Sequence, residues 1–167
     1  NPVAIATGND GQVLTSTGAG SPPAFETLSA GKILQVVSTQ TGAVATGTTI
    51  IPDDDTIPQN SEGTEFMTRA ITPASASNNL LIMVDFSWGM ETANNYCTIA
   101  LFQDSTANAL SSSAATPAYA NVHNHHGLFH YMSAGTTSST TFKVRAGHHA
   151  GTKTLTMNGY GGVRKLG

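Results

Sequence analysis

Residues 79–88 read Asn-Leu-Leu-Ile-Met-Val-Asp-Phe-Ser-Trp, and no other stretch restricts the fold so strongly. Leu80, Ile82, Val84, Phe86 and Trp88 fall on one side at period two, and Leu81, Met83, Asp85 and Ser87 fall on the other. A helix would scatter those five large side chains round its circumference, whereas a strand stacks them against one core. The second side is mixed, because Leu81 and Met83 are apolar. A strand of this kind needs a core beneath it and a partial cover above it.

Composition extends that reading to the whole chain. Charged residues are 10% of the 167, against roughly 25% in an ordinary soluble domain. Polarity comes instead from 15 serines and 24 threonines, beside 17 glycines. Threonine suits pleated surfaces and glycine suits turns, so the expectation is all-β. The length suits one domain with a substantial core. A net charge of −3 argues against nucleic acid as a partner, because phosphates call for clustered Lys and Arg. No apolar run approaches the roughly 20 residues that cross a bilayer as a helix, and membrane insertion is not expected.

The single cysteine, Cys97, has no internal disulfide partner, and no Asn-x-Ser/Thr sequon occurs. Folding in a reducing cytoplasm fits both, even for a protein that later works outside a cell. The chain opens at Asn1 with no signal-peptide pattern and no Met, so it is expected to be a piece of something longer.

Residues 1–28 differ from the rest. The run G-N-D-G-Q-V-L-T-S-T-G-A-G-S-P-P-A-F from Gly8 to Phe25 is short strand-like pieces between glycines and prolines, too poor in apolar area to fold alone. It reads as an extended neck before a main domain at 29–167. In that domain strands are expected over 32–38, 48–51, 65–71, 80–88, 96–103, 127–133, 140–145, 153–158 and 163–166, with turn chemistry between them. About nine short strands at such spacing favour an antiparallel sandwich or jelly roll over a parallel sheet. Residues 110–126, rich in Ala, Ser and Asn, read as a long surface loop.

Several stretches resemble the C-terminal domains of phage tail-fibre proteins. They are T-E-F-M-T-R-A-I-T-P-A-S-A-S-N-N-L-L-I-M-V-D-F-S (64–87) and A-L-F-Q-D-S-T-A-N-A-L (100–110), then H-Y-M-S-A-G-T-T-S-S-T-T-F-K-V-R-A-G (130–147) and N-G-Y-G-G-V-R-K (158–165). The opening run at 8–25 is similar to the short element often found before such domains. The resemblance implies a homotrimeric, jelly-roll-like tip domain on the virion, alongside other tail proteins, that binds a host cell-surface glycan or outer-membrane protein. It also turns the mixed side of 79–88 into an expectation: Leu81 and Met83 meet a neighbouring subunit, or else a covering loop. Such domains typically continue past this last segment into one more strand, so one sheet edge is expected to be closed by a partner or a further segment.

Three groups of residues invite a functional reading. His123, His125 and His126 lie in V-H-N-H-H-G, with His148-His149 further on. In extended chain His123 and His125 point the same way, and three such pairs on a three-fold axis would offer six nitrogens to a transition metal. The plainer alternative is imidazoles that hydrogen-bond glycan, backbone or water. Asp53-Asp54-Asp55 lacks the glycine and bidentate glutamate of a calcium loop and reads as a solvated turn. Tyr119, beside the histidine tract, is the aromatic best placed to stack on a sugar. Phe129 and Tyr131 read as packing residues of a strand, and Trp88 as core. The loops favoured for binding are 90–95, 110–126 and 147–151, which adds Asn94, Asn95, Asn121 and Asn124 to the histidines and Tyr119.

Enzyme signatures are missing: no G-x-S-x-G, no H-E-x-x-H, no P-loop and no dinucleotide fingerprint occurs. The expectation is a non-catalytic adhesin with no obligatory cofactor. The alternatives are a structural virion domain, capsid-decorating or head-fibre, and a hydrolase of surface polysaccharide.

Overall fold

The computed structural model describes residues 7–27 and 33–164. The chain divides into two compact units, Asn1–Val36 and Val37–Gly167. In the first, β1 (Gln12–Thr15) and β2 (Ala24–Thr27) pair antiparallel, with Leu14 opposite Phe25. Gly18 and Gly20 take left-handed φ in the connection, and the Thr17 hydroxyl donates to the Pro22 carbonyl at 2.7 Å. The strand expected over 32–38 does not form among the described residues. Residue 32 lies outside them, and Ile33, Leu34 and Val36 are exposed coil. The domain start expected near residue 28 also lies outside the described residues.

The second unit is an antiparallel β-sandwich with no helix among the described residues. Its strands are β3 (Ala45–Gly47), β4 (Thr64–Ile71), β5 (Asn79–Met90), β6 (Cys97–Gln103), β7 (Ser111–Ala115), β8 (His123–Ser133), β9 (Thr140–His148) and β10 (Leu155–Met157). One sheet has the order β3-β10-β5-β8 and the other β4-β9-β6-β7. A small hairpin follows, β11 (Gly159–Tyr160) with β12 (Val163–Arg164). Strands expected over 65–71, 80–88, 96–103 and 140–145 all form, at bounds one to three residues different.

Period two does what it promised in β5. Val84, Phe86, Trp88 and Met90 are buried, and Leu80 and Ile82 pack against the same core. They meet Cys97, Ile99 and Leu101 of β6 and Phe142, Val144 and Ala146 of β9 from the facing sheet. Phe66 of β4 sets its ring edge-on to Phe86 at 5.4 Å. Cys97 is buried in this core, and desolvation pushes its thiol far above the ordinary range.

The outer faces of the two sheets are treated differently. Ala100 and Phe102 of β6 point outward, and Ile51 closes over them to make a second small core. That explains why residues 48–51 form no strand: the chain lies across the sheet instead of extending it. The Ile51 N–H donates to the His148 carbonyl at 3.0 Å. Gly147 permits this approach, since a Cβ there would sit 2.6 Å from the Thr49 carbonyl oxygen. On the other sheet Gly89 plays the same part for β11, because a Cβ would lie 2.7 Å from the Gly159 carbonyl oxygen. Beyond that hairpin the outer face of β5 and β8 has no cover among the described residues. Leu81 and Met83 are 64% and 66% exposed.

The loop expected over 110–126 is corrected. Residues 111–115 are β7, and the histidine tract is the first part of β8. Every residue from His123 to Ser133 pairs with β5, so the long apolar strand imposes extended structure on a sequence with little strand propensity of its own.

Truncating the inward stripe of β5 tests this architecture. Phe86→Ala should cost about 3–5 kcal/mol, seen as a lower urea midpoint at unchanged slope.

Candidate functional site

Strand pairing alone decides which loops meet. Met90 pairs with Leu155, Gly89 with His123, and Cys97 with both Ala115 and His148. The connections at 91–96, 116–122 and 149–154 therefore all emerge at one end of the sandwich. They are held by hydrogen bonds donated from main-chain N–H groups. The Asn94 N–H donates to the Pro117 carbonyl at 3.1 Å, and the Asn121 N–H to the Met90 carbonyl at 2.9 Å. The Tyr96 N–H donates to His149 Nδ1 at 3.1 Å, and the two rings meet edge to face at 5.2 Å. With Nδ1 accepting, a neutral His149 ring keeps its proton on Nε2 and presents a donor there.

Asn94 and Asn121 have φ of 54° and 56°. This left-handed region suits asparagine because its short side chain replaces a local backbone partner. Both are exposed, as are Tyr96 and Tyr119, the latter 73% exposed. Glu91 and Lys153 are the only charged residues in the three connections. The end surface thus offers two phenol rings, carboxamides and an imidazole, and little net field. Such a set hydrogen-bonds hydroxyl groups and stacks on apolar ring faces.

The residues expected at a binding loop divide accordingly. Asn94, Tyr119, Asn121 and His149 belong to this end and reach the surface or its margin. Asn95 shares the loop but is buried, with Oδ1 unpartnered. His148 is not a surface group. It is fully buried at the end of β9, its ring nitrogens facing the Ala150 and Thr48 carbonyls at 3.1 and 3.2 Å. Tyr96 lies where a strand was expected to begin, just outside the favoured loop 90–95, and its pairing with His149 could not be read from sequence spacing.

His123, Asn124, His125 and His126 lie on β8 and alternate between its faces. His123 and His125 share the outer face, as extended chain requires. His123 is set edge-on to Tyr160 at 5.6 Å, and neither ring nitrogen has a hydrogen-bond partner. His125 Nδ1 lies 3.7 Å from an Asp85 carboxylate oxygen, both side chains well exposed. Among the described residues no group of three or more His, Cys, Asp or Glu side chains converges as a metal shell. Two imidazoles on one chain fall short of the ligand number a transition metal takes. The Asp53–Asp55 segment is a structured turn in which an Asp54 carboxylate oxygen accepts from Thr56 N–H and hydroxyl at 2.9 and 2.6 Å.

Asn124 and His126 point inward. The Asn124 amide donates to the Val122 carbonyl at 3.2 Å. His126 Nε2 and the Ser113 hydroxyl share a 2.8 Å hydrogen bond that joins β8 to β7 across the two sheets. Among the described residues His126 Nδ1 has no hydrogen-bond partner. The pair is a clasp between sheets.

No family model matches the chain, and no curated protein matches it. Among solved structures it is similar to the EclA C-terminal domain, described as a sugar-binding protein, with 18% sequence identity and a TM-score of 0.39. The match covers 77% of this chain and 82% of that one.

Burial holds the His126 imidazole below its ordinary value of 6.5. The native chain therefore favours the neutral ring, and an unfolded chain takes up the proton first as pH falls. Stability should be fully present above about pH 6.5 and decline below it, levelling off once the native ring is also protonated. Melting temperatures measured across this range should fall more steeply for the wild type than for His126→Gln.

Proposed function

We propose that this chain is the receptor-binding domain of a phage tail fibre, a homotrimeric tip that binds a host-surface glycan or outer-membrane protein through its loop end. The reading rests chiefly on one observation: three separate connections converge at one end and are fixed there by hydrogen bonds from main-chain N–H groups, two to carbonyls and one to the His149 ring. Loops anchored on a rigid sandwich are where binding groups usually sit. The near absence of charge in those loops suits a neutral, hydroxyl-rich ligand better than an anionic one. The sequence resemblance supplies the fibre context, and three linked sites would give useful avidity from individually weak contacts. Binding without catalysis is part of the proposal, with the virion as its place and the host surface as its partner.

The test is adsorption. Purified protein should bind host cells and compete with intact phage, and Tyr119→Ala combined with Asn121→Gly, which keeps the left-handed backbone accessible, should weaken binding about tenfold or more at unchanged melting temperature. Wild-type protein that neither binds cells nor blocks adsorption would leave a structural fibre or head-decorating role in its place.

A further inference from the structure

We infer that the outer face of β5 and β8 packs against a second copy of this chain. The inference rests on the assembly part of the proposal above and is independent of what the loop end binds. Two cross-strand pairs make the face, Leu81 opposite Tyr131 and Met83 opposite Phe129. All four side chains are 63–67% exposed. Phe129 and Tyr131, read as packing residues of a strand, stand beside Leu81 and Met83 on the outer side. The contrast with the other sheet is the main point. There the chain covers its outward apolar residues with Ile51, whereas among the described residues nothing covers this larger patch.

Among the described residues the neighbouring edge is open as well. The Ser87 carbonyl accepts from the Asn158 N–H on the side away from β8. In an antiparallel strand alternate residues turn both main-chain groups the same way. Leu81, Met83 and Asp85 therefore present their N–H and C=O groups to the edge that β10 leaves unpaired, since β10 reaches only Trp88 to Met90. Register with β8 runs without a shift from Asn79 to Gly89, so no bulge turns this edge aside. β5 carries no lysine or proline to blunt it.

Area and charge select the partner. The four side chains present roughly 500 Å², near the upper end of what a monomer leaves bare. A stable interface takes roughly 800 Å² from each partner. The patch would supply the apolar centre of such an interface, with Asn79, Asp85, His125 and Ser133 as its polar rim. Neither β5 nor β8 contains a lysine or arginine, so an anionic membrane surface finds no fixed cation there. A glycan would leave Leu81 and Met83 facing hydroxyl groups. A second copy brings the same neutral, flat, apolar surface.

Light scattering coupled to size exclusion tests this directly. Wild-type protein should run as an oligomer, and Met83→Lys combined with Phe129→Lys should raise its dissociation constant about 100-fold or more. Thr68→Lys, on the exposed side of β4, should leave assembly unchanged. If the lysine pair unfolds the chain, Leu81→Gln combined with Tyr131→Ser is read the same way. A wild type that is monomeric at high micromolar concentration overturns the inference, and so does assembly that survives both double variants or is lost equally in Thr68→Lys. Cell binding separates the two readings: an oligomer dissociated by these variants but unable to bind cells sinks the adhesion reading alone, and a cell-binding monomeric wild type sinks this one alone.

Discussion

The pairing of β5 with β8 over eleven residues is the constraint on which the rest depends. Because side chains alternate strictly, a slip of one residue would turn Phe86 and Trp88 outward and Leu81 and Met83 inward. Core and surface are therefore specified together. The same register fixes His126 under the sheet and His125 above it. It also brings the start of β8 beside the end of β5, which delivers the connection at 116–122 to the end where 91–96 turns back. The loop platform is thus a consequence of sheet pairing, and its own sequence adds only the asparagines that tolerate its tight bends.

Much of this order is legible in the residues, and the exceptions have physical causes. The stripe in β5 and the apolar runs of β4, β6 and β9 declare themselves, because large side chains at period two have few other uses. β7, Ser-Ser-Ser-Ala-Ala, has no such stripe; it exists because β6 needs a neighbour, and sheet hydrogen bonds do not ask for apolar side chains. The histidine tract is extended for a similar reason, its partner supplying the strand signal it lacks. Residues 48–51 err in the opposite direction. Their apolar side chains suggest a strand, but Ile51 serves as a lid on Ala100 and Phe102. Propensity measures fitness for a half-buried surface and does not say whether the backbone or the side chain will meet that surface.

The candidate site divides along the same line. Asn94, Tyr119 and Asn121 could be anticipated as loop residues, since the turn chemistry around them is local. His148 could not be recognised as buried, because its environment comes from a segment distant in sequence: its Nε2 faces the Thr48 carbonyl, one hundred positions away. Tyr96 gains its place from His149 across a gap of similar kind. What sequence spacing cannot carry is the pairing between loops, and that pairing is what turns scattered polar residues into one surface.

The buried thiol has a consequence for where such a chain can travel. Cys97 is the sole cysteine, and the sandwich closes over it completely. Burial keeps it protonated, and a protonated, inaccessible sulfur neither attacks a disulfide nor is readily oxidised. The folded chain accordingly has no thiol–disulfide chemistry to manage when its surroundings change from reducing to oxidising. Copies can accumulate at high concentration without cross-linking through this sulfur.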